Sequence, residues 1–202
     1  MNSKLSIAKK APDFRFKTPW EDEINFYDAL GNHPAVLIFL RYYGCPVCQM
    51  EMAKIKNEFD LAAKKGARVF VVLQSTPETI ASLIRKDDFP FTIICDPKGQ
   101  IFQIYGVEAG GIIKYLHPAG LIAAIKAVSR GFTHGKFEGK ETQLPAAFAM
   151  TADKIIKYAH YGENISDMPS LSFPGLSPQK TGMTSPDFSP DTFFIEIGYT
   201  PK

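Results

Sequence analysis

The apolar residues of this chain fall into runs whose period changes several times. The longest unbroken run, Ala35 to Leu40, follows the turn residues Gly31-Asn32-His33-Pro34. A short, partly β-branched run bounded by a turn predicts a central strand buried on both faces. From Pro46 the spacing becomes helical. Cys48, Met52, Ile55, Phe59 and Ala62 follow at steps of four, three, four and three, an amphipathic stripe. Pro46 suits the first helical position, Lys64 and Lys65 suit the last turn, and Gly66 is a stop. Arg68 to Leu73 predicts a second buried strand, and Thr76 caps a helix expected to run to Lys86. Phe91 to Cys95 is a third strand, closed by the turn Asp96-Pro97-Lys98-Gly99, and a short helix covers Gln100 to Tyr105. Two short strand candidates, one opened by Ala11-Pro12-Asp13-Phe14 and running through Lys17 and one at Ile24 to Phe26, precede them all. Alternating β and α segments predict an α/β sheet with helices on both faces.

The later segments differ. Gly110-Gly111 opens a stretch that His117-Pro118 is expected to interrupt, and Leu121 to Val128 reads as an apolar helix. Core packing is its default use, with a lid or a homodimer face as the others. Gly131 to Lys140 is polar and glycine-rich, a loop. Ala146 to Met150 and Lys154 to Tyr161 read as two final strands around a turn at Thr151-Ala152-Asp153. From Met168 the chain turns proline-rich, which precludes a regular helix. The expected organisation is a domain over 1–167 and an irregular tail over 168–202. Within that tail Phe193 to Ile197 is apolar enough to dock, on its own domain or on a partner.

Length and charge narrow the function. A chain of 202 residues buries roughly 70% of its unfolded surface and needs no disulfide staple. With 23 basic and 21 acidic residues, net +2, no strong attraction to nucleic acid or an anionic membrane is expected. No apolar run is long enough for a bilayer span, and residues 1–10 lack the core of a secretory signal. The cytoplasm is the expected compartment. Three cysteines are too few, and odd in number, for a secreted disulfide framework.

Two of those cysteines form Cys45-Pro46-Val47-Cys48, at the handover from the buried strand to the amphipathic helix. Attack on a disulfide or peroxide needs a thiolate, so a redox site must lower the thiol pKa from about 8.5. A helix N-terminus supplies roughly half a positive charge and free N–H groups. Cys45 lies in that field, and Cys48 is one turn deeper. The expected roles are attack by Cys45 and resolution by Cys48. A zinc or iron–sulfur half-site is the rival, but it needs about four ligands. Cys95, His117, His134 and His160 are scattered singles, so neither metal nor cofactor is expected. Arg41 stands where it stabilises the thiolate or polarises a peroxide, or else caps the strand in a surface ion pair. Tyr42 and Tyr43 wall the site. Cys95 reads as a small buried hydrophobe, His160 as a structural histidine, and His33 and His134 as turn residues without catalytic work.

The order strand, Gly44-Cys-Pro-Val-Cys48, helix resembles the thioredoxin superfamily. Ala11-Pro-Asp-Phe14 and Cys95-Asp-Pro-Lys-Gly99 are similar to the peroxiredoxin branch, the alkyl hydroperoxide reductase/thiol-specific antioxidant family. Arg41-Tyr-Tyr-Gly-Cys-Pro-Val-Cys48, with the segment ending Gly131-Phe132, looks most like its subgroup carrying C-x-x-C. The resemblance covers roughly residues 11–167. It implies a three-layer α/β/α sandwich with a central mixed sheet and a helical insertion. The sequence also departs from the peroxiredoxin pattern P-x-x-x-T-x-x-C. Tyr42 holds the Thr position and Ile38 the Pro position, and Gln143-Leu144-Pro145 replaces an arginine. Leu144-Pro145 instead resembles the cis-proline loop of thioredoxins, which lies against the dithiol and accepts the substrate backbone. Phe39 stands where thioredoxins keep a buried acid.

The resemblance implies a hydroperoxide-reducing enzyme, with a Cys45–Cys48 disulfide reduced by a thioredoxin-like protein. Exchange with protein disulfides at the same residues and Pro145 is the second expectation. A non-catalytic metal-binding or interaction module working through the tail is the third.

Overall fold

In the computed structural model, which describes residues 3–111 and 116–171, a two-stranded ribbon of β1 (Arg15–Phe16) and β2 (Ile24–Asn25) runs into α1 (Phe26–Leu30). Then come β3 (Ala35–Leu40), α2 (Pro46–Ala63), β4 (Arg68–Leu73) and α3 (Pro77–Ala81). The chain continues through β5 (Thr92–Cys95), α4 (Gln100–Ile104), α5 (Pro118–Ser129), β6 (Ala146–Met150) and β7 (Ile156–Tyr161). The main sheet has the order β5-β4-β3-β6-β7. Its first three strands are parallel, and β6 and β7 join antiparallel.

Every side chain of β3 is buried, which requires a layer on each face of the sheet. The strand's alternation divides the core accordingly. Val36, Ile38 and Leu40 meet Met52 and Ile55 of α2, Ile80 of α3 and the alanines Ala123 and Ala124 of α5. Ala35, Leu37 and Phe39 meet Phe26 and Leu30 of α1, Ile101 and Phe102 of α4, and Phe16. The result is the expected thioredoxin-like α/β/α sandwich. Phe39, at the thioredoxin acid position, lies among the rings of Phe102, Tyr105 and Phe148 at 5.0–5.7 Å. That apolar setting has no partner to offer a carboxylate.

Three local expectations are corrected. The helix capped by Thr76 stops at Ala81 rather than Lys86. The Asp88 carboxylate accepts the Arg85 N–H at 2.8 Å and starts a separate 3₁₀ turn over Lys86–Asp88. His117-Pro118 begins α5 instead of interrupting it, with His117 Nδ1 accepting the Ala119 N–H at 3.3 Å and Pro118 at the first position. Core packing describes only one side of α5. Gly120 and Ala127 are buried, and Ala123 and Ala124 pack against the core. Small side chains permit a close approach, so the bulky Leu121, Ile122, Ile125 and Val128 point away and are each at least 60% exposed.

Beyond residue 167 the chain is still anchored. Met168 and Leu171 pack on the α2 side of the core, and Glu58 of α2 accepts from Ser170 Oγ and Leu171 N at 2.9 Å. The segment Phe193 to Ile197 lies outside the described residues. Among those described, no helix is long and apolar enough to cross a membrane.

Candidate active site

The end of β3 releases the chain into Arg41, Tyr42, Tyr43 and Gly44, and α2 begins one residue after Cys45. Cys45 is the N-cap of α2: its backbone is extended, Pro46 follows at the first helical position, and its sulfur accepts the Cys48 N–H at 3.4 Å. A cap position points the side-chain acceptor at the free amides of the first turn. Cys48, Met52, Ile55 and Ala62 are buried along the stripe of α2, with Phe59 partly so.

Arg41 is buried, and its ion pair runs to the part-exposed Glu141. Its Nη2 lies 2.8 Å from Cys45 Sγ. Its Nη1 donates to the Glu141 backbone carbonyl at 2.6 Å and lies 3.5 Å from the Glu141 carboxylate. Tyr42 is fully buried and its hydroxyl donates to Glu141 Oε1, with His134 Nε2 at 3.2 Å. Tyr43 is half-buried; its N–H donates to Ser75 Oγ at 3.0 Å and its ring packs on the core. Tyr43 therefore braces the turn, and Tyr42 faces the site.

Electrostatics separate the two sulfurs. The Cys45 thiol is brought down to about 6, chiefly by the hydrogen bond from Cys48, with the Arg41 charge, the Cys48 amide and the Arg41 hydrogen bond helping against burial. Cys48 is pushed far up, by burial first and then by the neighbouring Cys45. At neutral pH Cys45 is the thiolate and Cys48 the thiol that hydrogen-bonds to it. Burial and the Glu141 contact hold Tyr42 well above the ordinary phenol range.

Both sulfurs lie under a cover, Cys45 being 0% exposed. The segment between α5 and β6 crosses the site: the Gly135 N–H donates to the Gly44 carbonyl at 2.8 Å, and Gln49 Nε2 to the Thr133 carbonyl at 3.1 Å. Its far end is pinned by the Lys140 N–H donating to Gln74 Oε1 at 2.7 Å.

Pro145 requires a correction. Among the described residues no peptide bond is cis, so Leu144-Pro145 does not reproduce the thioredoxin loop. Pro145 is buried, and its carbonyl accepts from the Gly162 N–H at 2.9 Å. Gln143, in place of the peroxiredoxin arginine, ties β6 to its neighbours through Gln74 Nε2 at 3.2 Å and the Glu108 carbonyl at 3.0 Å. The guanidinium at the sulfur comes from the β3 end instead. Cys95 is buried and its thiol is pushed up to about 12 by that burial. His160 lies 3.1 Å from the Asp167 carboxylate, as a structural histidine would. Among the described residues no three His, Cys, Asp or Glu side chains group to hold a metal.

The sequence reads His134 as a turn residue and singles out nothing at Glu141, yet both reach the site. Their signal was length. Residues 131–145 hold neither helix nor strand, and structureless connections beyond about 12–15 residues are uncommon in compact domains, being either functional loops or linkers.

Comparison with known proteins places the chain in a family. Residues 7–159 match the AhpC/TSA family. A curated relative in Coxiella burnetii, provisionally named peroxiredoxin bcp, is 25% identical over 103 residues, which is 51% of this chain and 68% of the relative. Among solved structures, a peroxiredoxin-like protein from Aquifex aeolicus superposes with a TM-score of 0.59 at 18% identity, covering 84% of each chain. Peroxidoxin BcpB of Mycobacterium tuberculosis gives 0.57 at 14% identity, over 79% of this chain and 88% of that one. At such identities the solved structures show the fold alone.

Proposed function

The chain belongs to the AhpC/TSA family, and on that premise we propose that it reduces hydroperoxides through a Cys45–Cys48 dithiol cycle. The 2.8 Å contact between Arg41 Nη2 and Cys45 Sγ carries the reading. A buried guanidinium on a buried thiolate holds the nucleophile ionised, and its positive charge stabilises the charge that develops as an O–O bond breaks.

Cys45 Sγ attacks the terminal oxygen of ROOH, forming an S–O bond as the O–O bond breaks, and leaves sulfenic acid and RO⁻. Cys48 then loses its proton and displaces hydroxide from the sulfenic sulfur, closing the disulfide and releasing water. A thioredoxin-like dithiol returns two electrons by exchange, which suits the cytoplasm. The complete cover over Cys45 favours a small peroxide as oxidant over a protein disulfide, whose two flanking chains need far more room.

The test mixes reduced protein with hydrogen peroxide and an organic hydroperoxide while thiols are counted. Rapid loss of two thiols, abolished in Cys45→Ser, is expected. Slow reaction with peroxides alongside fast reduction of insulin would favour disulfide exchange.

A further inference from the structure

The contacts around Tyr42 do not balance with the protons of a neutral side-chain set. His134 Nδ1 lies 2.8 Å from the Gly135 carbonyl. A carbonyl only accepts, so Nδ1 carries a hydrogen. On a neutral ring Nε2 then holds only a lone pair, and Nε2 is the atom 3.2 Å from the Tyr42 hydroxyl. That hydroxyl has one hydrogen, and Glu141 Oε1 takes it. Two contacts therefore compete for one hydrogen, and one further proton in the trio would make both attractive.

The trio is also connected to the sulfur. Arg41 spans the gap, with Nη2 on Cys45 Sγ and Nη1 on Glu141, and Glu141 holds the Tyr42 hydroxyl. Tyr42 and Cys45 share one turn, the Cys45 N–H donating to the Tyr42 carbonyl at 3.3 Å. His134, at the other end, is exposed while Tyr42 is buried. Phe137 lies against the imidazole, ring centroids 4.0 Å apart, and fixes its plane. Solvent thus reaches the trio at His134.

We propose that Tyr42, Glu141 and His134 form a proton store that protonates the oxygen leaving as Cys45 breaks the O–O bond, with Tyr42 as the donor. The inference rests on the peroxidase reading. A peroxide seated against Arg41 with one oxygen on Sγ turns the other toward Tyr42. As the S–O bond forms, the electron pair of the O–O bond departs on RO⁻. The Tyr42 O–H swings from Glu141 to that oxygen and gives ROH, and the stored proton passes from His134 to the Tyr42 oxygen. Charge balances: thiolate, peroxide and the protonated trio become sulfenic acid, ROH and a trio of neutral His134, Tyr42 and the Glu141 carboxylate, one negative charge on each side. Tyr42 is the catalytic group; Glu141 and His134 act through it as positioning residues. Solvent exchange at His134 refills the store.

The leaving group provides the test. tert-Butyl hydroperoxide releases an alkoxide that must be protonated; peracetic acid releases acetate, which need not be. Rates of Cys45 oxidation by both are measured for the wild type, Tyr42→Phe, Glu141→Gln and His134→Asn. Tyr42→Phe should lose on the order of 100-fold with the alkyl hydroperoxide, the range of general acids, and less than about threefold with the peracid. His134→Asn should show the same selectivity with a smaller loss, about tenfold. Each variant's peracid rate reports on its fold and its thiolate. If Tyr42→Phe does not fold, the exposed His134 and the conservative Glu141→Gln carry the test. Equal losses with both oxidants, or no loss with either, would overturn the proton store and leave the peroxidase reading standing. A wild type no faster than a free thiol with either oxidant overturns both.

Discussion

Gly44 and Gly135 lie backbone to backbone above the dithiol. The Gly135 N–H donates to the Gly44 carbonyl at 2.8 Å, and the ideal Cβ position of Gly135 is 3.1 Å from the Gly44 Cα. A Cβ on Gly44 would overlap the Lys136 carbonyl oxygen and approach the Gly135 carbonyl carbon at 3.0 Å. Two adjacent residues without side chains let the cover close, and closure leaves Cys45 with no exposed surface.

Gly44→Ala should therefore lift the cover and leave the sheet intact. Overpacking of this kind costs about 1–3 kcal/mol. If about 1.4 kcal/mol of that falls on the closed cover alone, the open population rises about tenfold. Iodoacetamide labelling of Cys45 should quicken by that factor in the variant. Unchanged labelling would show that the loop is not what limits access.

The reactivity of Cys45 should depend on pH with a defined sign. Its thiol is brought down to about 6, and the thiolate is the reactive form. Labelling rates should thus be flat above that value and fall as pH drops through it. In Arg41→Met the fall should begin at higher pH. A midpoint raised by one unit or more corresponds to about 1.4 kcal/mol of lost thiolate stabilisation. Absorbance of the thiolate at 240 nm during titration measures both midpoints.

Cys48→Ser should separate attack from resolution. The serine hydroxyl still donates to the Cys45 sulfur, so the first oxidation step should remain within about tenfold of wild type, one hydrogen bond being replaced by another. The disulfide cannot form. Mass spectrometry after peroxide should find sulfenic and then sulfinic acid on Cys45, where the wild type gives a disulfide. A wild-type disulfide linking Cys45 to Cys95 would overturn the assignment of Cys48.

Phe39→Ala should act on the fold without touching the sulfur. Phe39 lies on the sheet face opposite α2, among Phe102, Tyr105 and Phe148. Truncating such a ring costs about 3–5 kcal/mol, read from urea unfolding. The Cys45 titration midpoint in the folded variant should not move, in contrast to Arg41→Met.

The sandwich was legible because it rests on local rules. A six-residue apolar run between turn signals becomes a doubly covered strand, and a four-three stripe after Pro46 becomes α2 whatever packs above it. Alternation of the two sets the layers, and the cap geometry places Cys45 ahead of Cys48. What failed to read locally was Thr76 to Lys86, where an Asp88 side chain competes for a backbone amide, and α5, whose apolar residues are sorted by size rather than by hydrophobicity. Leu144-Pro145 matched a motif by composition, and its backbone conformation differs.

The sequence by itself determined the dithiol, its place at a helix start and the order of the two sulfurs, since all three follow from neighbours within one turn of chain. Only the tertiary structure decided what surrounds them. Arg41 is four residues from Cys45, but which way its guanidinium points depends on Glu141, a hundred residues on. His134 and Tyr42 meet through a loop with no periodicity to read. A thiol's place on a helix is a local matter, whereas its protonation and access depend on groups that only the folded chain brings within a few ångströms.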